Sequence, residues 1–328
     1  MEMTDKDIAF MKRALRLARR GAGQVSPNPM VGAILVKGDR IIGEGCHERF
    51  GGPHGEVNAF DRATESPAGA TLYVTLEPCF HHGKTPPCVD RVLREKPARV
   101  VIGTVDPNPR VSGRSVGRLR EAGVSVTVGV LERECRDLNE TFFKFMETGL
   151  PFVTVKYAQT LDGRIATATG HSRWISSGPS LKYAHRLRSL HDGILVGAGT
   201  VLKDDPDLRV RLVRGRNPLR VVLDASLSVS PAANVFQNQE QAKSLLFTTS
   251  GHDDEKLEKF RNRGVAVEVL PEGRQGGVDL AAALPVLAGR GISSLLVEGG
   301  SSVITSFVRE GKADRYLVIV APKLAGKG

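Results

Sequence analysis

The chain is poor in cysteine and tryptophan and has no long apolar run. It holds four cysteines and one tryptophan in 328 residues, and aromatic residues make up 5% of it. No window reaches the roughly 18 apolar residues that a membrane-spanning helix requires. Four cysteines are too few for a disulfide scaffold at this length, so metal ligands or buried thiols are expected. We interpret Cys46 and Cys135 as small core residues.

Targeting signals, internal repeats and low-complexity segments are also missing. The N-terminus begins with acidic residues, and Ile8, Met11 and Leu15 then recur at helical spacing. This pattern predicts an amphipathic helix and not a signal peptide, and Thr4 with Asp7 forms a capping box at its start. We therefore expect a cytoplasmic enzyme.

The charge balance is basic, with a formal net charge of +10. The lysines and arginines are spread along the chain and form no polybasic tail. A basic surface without a partner, an anionic small substrate and nucleic acid all remain open at this point. Among the specific partners, a phosphorylated small molecule is favoured over nucleic acid.

Apolar strand-like runs alternate with helical stretches in the first part of the chain, which predicts a compact α/β domain. The predicted strands span 30–36, 71–76, 99–105 and 124–130, and the predicted helices span 55–63, 87–96 and 116–122. A further helix in LNETFFKFMETGLP should end before Pro151.

A second alternation of strands and helices follows and predicts a second α/β domain. Its strand candidates are PFVTVKYA, GILVGAG, LRVVLD, SLLFTT, VAVEVL, SSLLVEGG and RYLVIVAP, and its helices span 179–190, 279–290 and 301–309. We place the domains at 1–147 and 150–328. Because KLAGKG directly follows a strand, we expect the second domain to be incomplete at its C-terminus.

The segment EPCFHHGKTPPC raises the question of a metal site. A catalytic zinc keeps three protein ligands and one open position, and His54, Cys79 and Cys88 supply one imidazole and two thiolates. Zinc deaminases pair His-x-Glu with Pro-Cys, and the glutamate acts as a proton shuttle. Both halves are present, as His54-Gly55-Glu56 and as Pro78-Cys79. A structural zinc, or no metal, is the alternative.

Two neighbouring segments supply candidate substrate contacts. The usual second half of the motif ends Cys-x-x-Cys, whereas here the loop FHHGKTPP separates the cysteines. Lys84 in this loop is a candidate phosphate ligand, although a solvated lysine is the commoner case. Asn28 lies between two prolines, which fix the backbone, and is a candidate for reading a substrate hydroxyl or ring edge.

The segments SPNPMVGAILV, HGEVNAF, TLEPCFHHGKTPPC and DPNPRVSGR resemble the deaminase half of the bifunctional riboflavin-biosynthesis deaminase/reductase family. The resemblance implies a cytidine-deaminase-like three-layer domain, with His54, Cys79 and Cys88 as zinc ligands and Glu56 as proton donor. The departures from the family pattern are Ala33, Gly55, Asn58 and Ser115.

The second half contains no G-x-G-x-x-G after its first strand, so the usual dinucleotide fingerprint is absent. Its best anion-binding candidate is LLVEGGSS, where an apolar strand runs through two glycines into a helix. Glycines allow close backbone approach and the helix N-terminus favours an anion. A plain tight turn with a serine cap explains this stretch equally well.

Together with VKYAQTLDGRIAT, SRWIS and HRLRSLHDGILVGAGTVLKDDPDLRVR, this segment resembles the reductase half of the same family. The resemblance implies a dihydrofolate-reductase-like fold, NADPH as cofactor and a homodimer through this domain. The implied cofactor contacts are Ala158, Trp174, Thr200, Asp204, Ser226, Gly300, Ser301, Ser302, Val303, Ile304, Thr305 and Ser306. The implied substrate contacts are Ser172, Leu208, Arg211 and Glu298. Lys156 is a weaker reductase candidate, because a charged residue in an apolar strand usually pairs or functions.

The resemblance implies two successive reactions. The first domain would deaminate 2,5-diamino-6-(5-phosphoribosylamino)pyrimidin-4(3H)-one, and the second would reduce the ribosyl group of the aminouracil product to ribityl. Three alternatives remain: a deaminase that acts on nucleic acid, a deaminase with an inactive second domain, and a structural-zinc scaffold without activity.

Overall fold

The structure is a computed structural model that describes residues 3–80, 86–109, 111–166, 177–251, 253–274 and 276–326. Contacts within the chain divide it into two compact units, Met1–Thr148 and Gly149–Gly328. Each unit has its own sheet. No helix among these residues combines the length and the apolar character needed to cross a membrane.

The first unit is a five-stranded mixed sheet with helices on both faces. Strands β1 and β2 form an antiparallel hairpin at one edge, β1 also pairs antiparallel with β3, and β3, β4 and β5 run parallel, in the order β2-β1-β3-β4-β5. Its elements are α1 (Asp5–Ala18), β1 (Gly32–Lys37), β2 (Arg40–Cys46), α2 (Gly55–Asp61), β3 (Thr71–Leu76), α3 (Cys88–Glu95), β4 (Arg99–Thr104), α4 (Arg114–Glu121), β5 (Ser125–Val128), α5 (Glu132–Leu138) and α6 (Glu140–Thr148).

The alternation of side chains along β1 shows why this unit has three layers. Ala33 and Leu35 pack into a core with α2, α3, α4 and α6, whereas Ile34 and Val36 pack into a second core with α1 and α5. Successive side chains of a strand point to opposite faces of the sheet, so an uninterrupted apolar run is buried on both sides. The predicted three-layer arrangement is confirmed.

The first helix begins at the predicted capping box and is tied to the sheet by a buried carboxylate. The Thr4 hydroxyl accepts a hydrogen bond from the Asp7 backbone N–H, and the Asp7 side chain accepts one from the Thr4 backbone N–H. Asp7 also accepts two bonds from the Arg99 guanidinium, at 2.8 and 3.0 Å, and one from the Tyr73 hydroxyl. The Asp7 side chain therefore completes the N-terminal capping box of α1 and also joins this helix to β3 and β4.

The second unit contains a seven-stranded, all-parallel sheet in the order β10-β9-β8-β7-β11-β6-β12. Its elements are β6 (Phe152–Thr160), α7 (Gly178–Leu190), β7 (Gly193–Gly197), α8 (Ala198–Asp204), β8 (Leu219–Leu223), β9 (Ser244–Thr248), α9 (Asp254–Arg261), β10 (Ala266–Val269), α10 (Leu280–Gly289), β11 (Ser294–Glu298), α11 (Ser301–Arg309) and β12 (Arg315–Ala321).

The parallel arrangement brings the carboxyl ends of the strands to one edge of the sheet. The neighbours Leu295 and Leu296 of β11 are both fully buried and belong to separate apolar cores, so each face of the sheet is covered. In open parallel sheets, ligands bind outside the carboxyl ends of the strands. The loops after β7, β8 and β11 are therefore the places to look for a site.

Four elements, β2, α5, α8 and α9, were not among the sequence predictions. Strand β2 was missed because Gly43 and Gly45 interrupt its apolar pattern. The structure gives a reason for the glycines: a Cβ at Gly43 would lie 2.4 Å from the Ala59 carbonyl oxygen, and one at Gly45 would lie 2.3 Å from the Ala59 nitrogen. They allow α2 to approach the hairpin closely, and α2 holds part of the first site.

Candidate active sites

The three predicted metal ligands lie together beside a cavity of about 280 Å³ in the first unit. The ligand atoms of His54, Cys79 and Cys88 all lie within 4.8 Å of one another. His54 Nδ1 is 3.6 Å from Cys79 Sγ and 3.2 Å from Cys88 Sγ. Residues 34 positions apart in the chain thus form one donor set of one imidazole and two sulfurs.

The ends of three elements place these ligands. His54 is the N-cap of α2, Cys79 follows the carboxyl end of β3, and Cys88 is the first residue of α3. The Cys88 backbone N–H donates to Cys79 Sγ at 3.1 Å, so the start of α3 holds the other sulfur. Hydrogen bonds and helix N-termini both favour a thiolate, which is the form that binds a metal.

The two thiols differ in acidity. The neighbouring Cys88 side chain lowers the pKa of Cys79 to about 4, whereas Cys79 and burial raise the pKa of Cys88 well above its ordinary value. Two sulfurs at one site resist carrying negative charge together unless a cation balances them. A divalent metal bound to both sulfurs supplies that charge.

Glu56 is the strongest sign that such a metal would be catalytic. Its side chain is 2% exposed and lines the same cavity, and no hydrogen-bond partner for Oε2 exists among the described residues. Burial raises the pKa of Glu56 to about 7. A buried carboxyl oxygen without a partner normally costs free energy. It fits a site where substrate or water completes the bonding, and the three-ligand set fits a zinc with an open position.

Asn28 lies in the same cavity, as its predicted role requires. Its Nδ2 is 3.3 Å from His47 Nε2, and His47 Nδ1 is 3.0 Å from the Pro53 carbonyl oxygen. With the proton on Nδ1, the ring donates to Pro53 and accepts from Asn28. His47 was not predicted, because a histidine at the end of a glycine-containing strand has no motif of its own.

Asn139, between α5 and α6, holds the segment that contains Asn28. Its side-chain amide accepts from the Met30 backbone N–H at 2.8 Å and donates to the Met30 carbonyl oxygen at 2.9 Å. These two bonds satisfy both backbone groups of Met30, two residues after Asn28. The segment is therefore fixed by a residue more than 100 positions away, which the sequence alone does not indicate.

Glu77 and Asp106 were also missed by the sequence analysis. The buried Glu77 carboxylate accepts backbone N–H bonds from Asp106, Gly113, Ser115 and Val116, at 2.9 to 3.3 Å. It holds the segment that follows β4 against the Cys79 turn, and Asp106 in that segment lines the cavity. Burial raises the pKa of Asp106 to about 6. The only sequence signal was the position of DPNPR behind a buried parallel strand.

The four departures from the family pattern lie outside the ligand set. The Asn58 amide donates to the Cys46 carbonyl oxygen at 2.8 Å, and Ala33 is fully buried in the sheet. A Cβ at Gly55 would lie 2.8 Å from the Val31 carbonyl oxygen. Ser115 is fully buried, and its backbone N–H donates a hydrogen bond to the Glu77 carboxylate. These residues act on packing around the site.

The second unit has a larger cavity, of about 1220 Å³, at the carboxyl ends of β7, β8 and β11. Two glycines allow close packing here: a Cβ at Gly197, in the lining, would lie 2.5 Å from Val303 Cγ2, and one at Gly299, whose φ is +141° and which precedes the lining residue Gly300, would lie 2.8 Å from Thr200 Oγ1. The N-terminus of α11 also lines the cavity. A wall of small residues at a helix N-terminus fits the diphosphate of a dinucleotide.

Most of the predicted cofactor residues lie at this cavity. The lining includes Thr200, Gly300, Ser301, Ser302, Val303, Thr305 and Ser306. Ile304 packs toward the adjacent core. Ala158, Asp204 and Ser226 are not part of the lining, among the residues that the structure describes. Trp174, Ser172 and Lys84 lie outside the described residues.

The predicted substrate residue Glu298 is the centre of a charged group near this cavity. Its carboxylate is 2.7 Å from Arg188 Nη2 and 3.2 Å from Arg188 Nε, and β-sheet register places Lys156 beside it. Burial alone would raise the pKa of Glu298, but Arg188 and Lys156 outweigh burial and lower it. Arg188 was not predicted, because an arginine in an amphipathic helix looks like a surface residue.

Arg211 and Leu208 lie on the loop between α8 and β8. The Arg211 side chain is 58% exposed and 3.5 Å from Asp207, so its guanidinium can reach a ligand. Leu208 is 3% exposed, packs in the core and has a φ of +63°. A substrate contact at Leu208 would therefore use its backbone.

Two family models match the chain. Residues 151–328 match the RibD C-terminal domain, and residues 4–104 match the cytidine and deoxycytidylate deaminase zinc-binding region. The predicted combination of a deaminase-like unit with a RibD reductase unit is confirmed.

Curated relatives and solved structures extend over nearly the whole chain. The riboflavin biosynthesis protein RibD of Aquifex aeolicus is 48% identical over 98% of this chain and 88% of its own length, and that of Escherichia coli is 39% identical over 98% and 89%. A Thermotoga maritima diaminohydroxyphosphoribosylaminopyrimidine deaminase/5-amino-6-(5-phosphoribosylamino)uracil reductase superposes with a TM-score of 0.88 at 44% identity, covering 98% of this chain and 88% of that one. Acinetobacter baumannii RibD superposes with a TM-score of 0.87 at 35% identity, covering 97% and 87%. The chain therefore belongs to the RibD family, in which a zinc-dependent deaminase and a reductase of riboflavin biosynthesis are joined in one polypeptide.

Proposed function

We propose that the first unit hydrolyses the exocyclic amine at C2 of 2,5-diamino-6-(5-phosphoribosylamino)pyrimidin-4(3H)-one and leaves the 5-amine in place. We propose further that the second unit reduces the ribosyl group of the product, 5-amino-6-(5-phosphoribosylamino)uracil, to ribityl with NADPH. The observation that supports this most directly is the buried Glu56 oxygen without a partner beside the three-ligand set. A scaffold that only held a structural zinc would gain nothing from such a group.

In the deaminase unit, His54, Cys79 and Cys88 would hold the zinc. The ion supplies Lewis acidity, which lowers the pKa of water. Glu56 accepts a proton from the attacking water and returns it to the departing amine, so that ammonia leaves as a neutral molecule. Asn28 and His47 lie where they can bind polar edges of the pyrimidine ring.

Asp106 completes this cavity at the end of β4. Burial raises its pKa to about 6, so most of the population is still ionised near neutral pH and can accept a hydrogen bond from a ring N–H or an amino group. Glu77 contributes through the backbone bonds that hold this segment in place.

In the reductase unit, the glycine-lined wall and the start of α11 would hold NADPH, which supplies the hydride. Hydride addition at C1′ of the ribosyl group opens the sugar ring, and the ring oxygen then requires a proton. Lys156 is our candidate for that proton, because it lies beside Glu298 in the sheet. Glu298 and Arg188 bind sugar hydroxyls, and Arg211 binds the phosphate as a fork of N–H donors.

The cellular setting forms the remaining part of the proposal. We expect a cytoplasmic enzyme, from the sequence pattern, and a homodimer formed through the second unit, from the family resemblance.

One coupled assay tests the proposal. The phosphorylated diaminopyrimidine is supplied with NADPH, and ammonia release and NADPH oxidation are followed with and without a zinc chelator. We expect both signals, and we expect the chelator to stop both because reduction requires the deaminated product. With the aminouracil supplied directly, NADPH oxidation should resist the chelator. If a zinc-loaded sample releases no ammonia, the substrate assignment is wrong.

A further inference from the structure

A buried histidine holds the main chain of Arg211. The backbone N–H of Arg211 donates to His185 Nδ1 at 3.0 Å. His185 lies in α7, and only 6% of it is exposed. Since Nδ1 accepts this bond, the ring must be neutral with its proton on Nε2. A protonated ring carries hydrogen on both nitrogens and cannot accept it.

The rest of the loop is attached just as firmly. Arg220, which is fully buried, donates to the Asp207 carbonyl oxygen at 3.4 Å, and Arg209 forms two bonds to the Asp207 carboxylate. Farther along, a Cβ at Gly215 would lie 2.4 Å from Ser189 Cβ, so the loop packs tightly on α7. The Arg211 side chain is exposed, although the backbone that bears it is held by His185.

The charges around His185 keep its ring neutral at ordinary pH. Arg188 faces it from α7, Asp207 and Arg211 from the loop, and Glu298 from β11. Burial, Arg188 and Arg211 lower the pKa of His185, and Glu298 and Asp207 oppose them less strongly. The Nδ1 acceptor is therefore available at neutral pH and is lost on acidification below the ordinary histidine range.

We propose that His185 is a positioning residue of the reductase, whose neutral imidazole fixes Arg211 for the phosphate of the substrate. Protonation of the ring removes the acceptor, frees the Arg211 backbone and weakens binding of the phosphorylated substrate. The inference rests on the proposed function, in which Arg211 binds that phosphate. It adds a side chain that touches neither substrate nor cofactor and acts only through another residue.

Two substitutions separate this role from a purely structural one. His185→Asn places a neutral amide oxygen near the position of Nδ1, whereas His185→Leu fills the space without an acceptor. The KM for 5-amino-6-(5-phosphoribosylamino)uracil, the KM for NADPH and kcat are measured for each variant between pH 8 and pH 5. Lys182→Gln, on the exposed side of the same helix, is the matched control.

We expect the substrate KM of the wild type to rise severalfold more between pH 8 and pH 5 than that of His185→Asn. The ionisation of the substrate phosphate affects both enzymes equally. The difference between their KM changes therefore measures the effect of protonating His185. At pH 8, His185→Leu should raise the substrate KM at least tenfold and leave kcat and the KM for NADPH within twofold. The substrate without its phosphate should show no difference between wild type and His185→Leu.

Two results would overturn the inference while leaving the proposed function intact. One is a His185→Asn enzyme with the pH profile of the wild type. The other is a His185→Leu enzyme that loses affinity equally for substrates with and without phosphate. If the wild type itself oxidises no NADPH with the aminouracil, the proposed function has failed instead.

Discussion

The two cavities of this chain differ in size and in the residues that line them. The cavity of the first unit measures about 280 Å³ and combines aromatic and aliphatic side chains with the proposed catalytic groups, among them His54, Glu56 and Asp106. The cavity of the second unit measures about 1220 Å³, and its wall contains mostly glycine, serine, threonine and short aliphatic residues, together with the charged Glu272, Arg274, Asp279, Arg309, Glu310 and Lys312. A deaminase must move protons with its own groups, whereas a reductase receives its hydride from a cofactor that it must fit. Substitutions should therefore act through side-chain chemistry at the deaminase cavity and through backbone shape at the cavity proposed for the cofactor.

The largest expected effect is that of Glu56→Gln. The amide keeps the volume of the carboxylate but cannot accept the proton, so ammonia release should fall roughly a thousandfold. The reductase, assayed with the aminouracil supplied directly, should stay within twofold of the wild type. Zinc content is measured at the same time, and the exposed Glu48→Gln serves as the matched control. A variant that keeps a tenth of the activity would show that another group shuttles the proton.

The contrast between the units also explains which site residues could be predicted from the sequence. His54, Cys79 and Cys88 were predicted because few side chains bind zinc, and their spacing is therefore informative. Glu298 was predictable as a charged residue ending an apolar strand. Arg188 was not, because its place in the site depends on how α7 packs.

Leu208 and Glu77 show that the role of a side chain can depend on contacts that form only in the folded protein. Leu208 was expected to contact substrate; its side chain lies in the core and its φ is +63°, so such a contact would use the backbone. Glu77 was not among the predicted site residues, and its carboxylate accepts hydrogen bonds from backbone N–H groups of a segment some 30 to 40 positions later. Long-range hydrogen bonds of this kind leave no periodic signal in a single sequence.

Buried charged side chains also stabilise each unit, and we expect removal of Arg220 in the second unit to have a larger effect on stability than removal of Asp7 in the first. Arg220 donates to the carbonyl oxygens of Gln237 at 2.6 Å and Ala242 at 2.5 Å. Arg220→Met removes these donors and leaves the carbonyls unpaired, which should cost about 3 kcal/mol. Urea unfolding is followed by hydrogen exchange in β8 and β9. The exposed Arg214→Met should change stability by less than about 0.5 kcal/mol, and equal losses in both variants would contradict the argument.

In the first unit, Asp7→Asn should have a smaller effect that depends on pH. Burial alone would raise the pKa of Asp7, but hydrogen bonds from Arg99, Thr4 and Tyr73 lower it from 3.8 to about 2. A carboxyl group with a lowered pKa stabilises the fold fully above its unfolded pKa and loses that contribution as the pH falls through the folded value. The expected loss is about 2 kcal/mol at pH 6.

The difference between wild type and Asp7→Asn should shrink steadily from pH 5 to pH 2.5. Hydrogen exchange in β3 and β4 during urea unfolding measures it, and Asp5→Asn, on the exposed side of α1, should show little effect at any pH. A constant difference across this range would mean that Asp7 stabilises the unit through packing and not through its charge.

The smallest effect is expected from Gly299→Ala, and it tests the other half of the comparison. The new Cβ would meet Thr200 Oγ1 at 2.8 Å in a backbone conformation that favours glycine. The turn before α11 must therefore shift, and the KM for NADPH should rise roughly tenfold. Gly289→Ala, at the end of α10 with no atom within 4 Å of its Cβ, is the control and should leave that KM unchanged. The added methyl group carries no charge and removes no hydrogen bond. A tenfold rise in the KM for NADPH would therefore show that backbone shape alone determines cofactor affinity in this unit. An unchanged KM would mean that side chains around the cavity hold the cofactor, and the two sites would then be built more alike than their linings indicate.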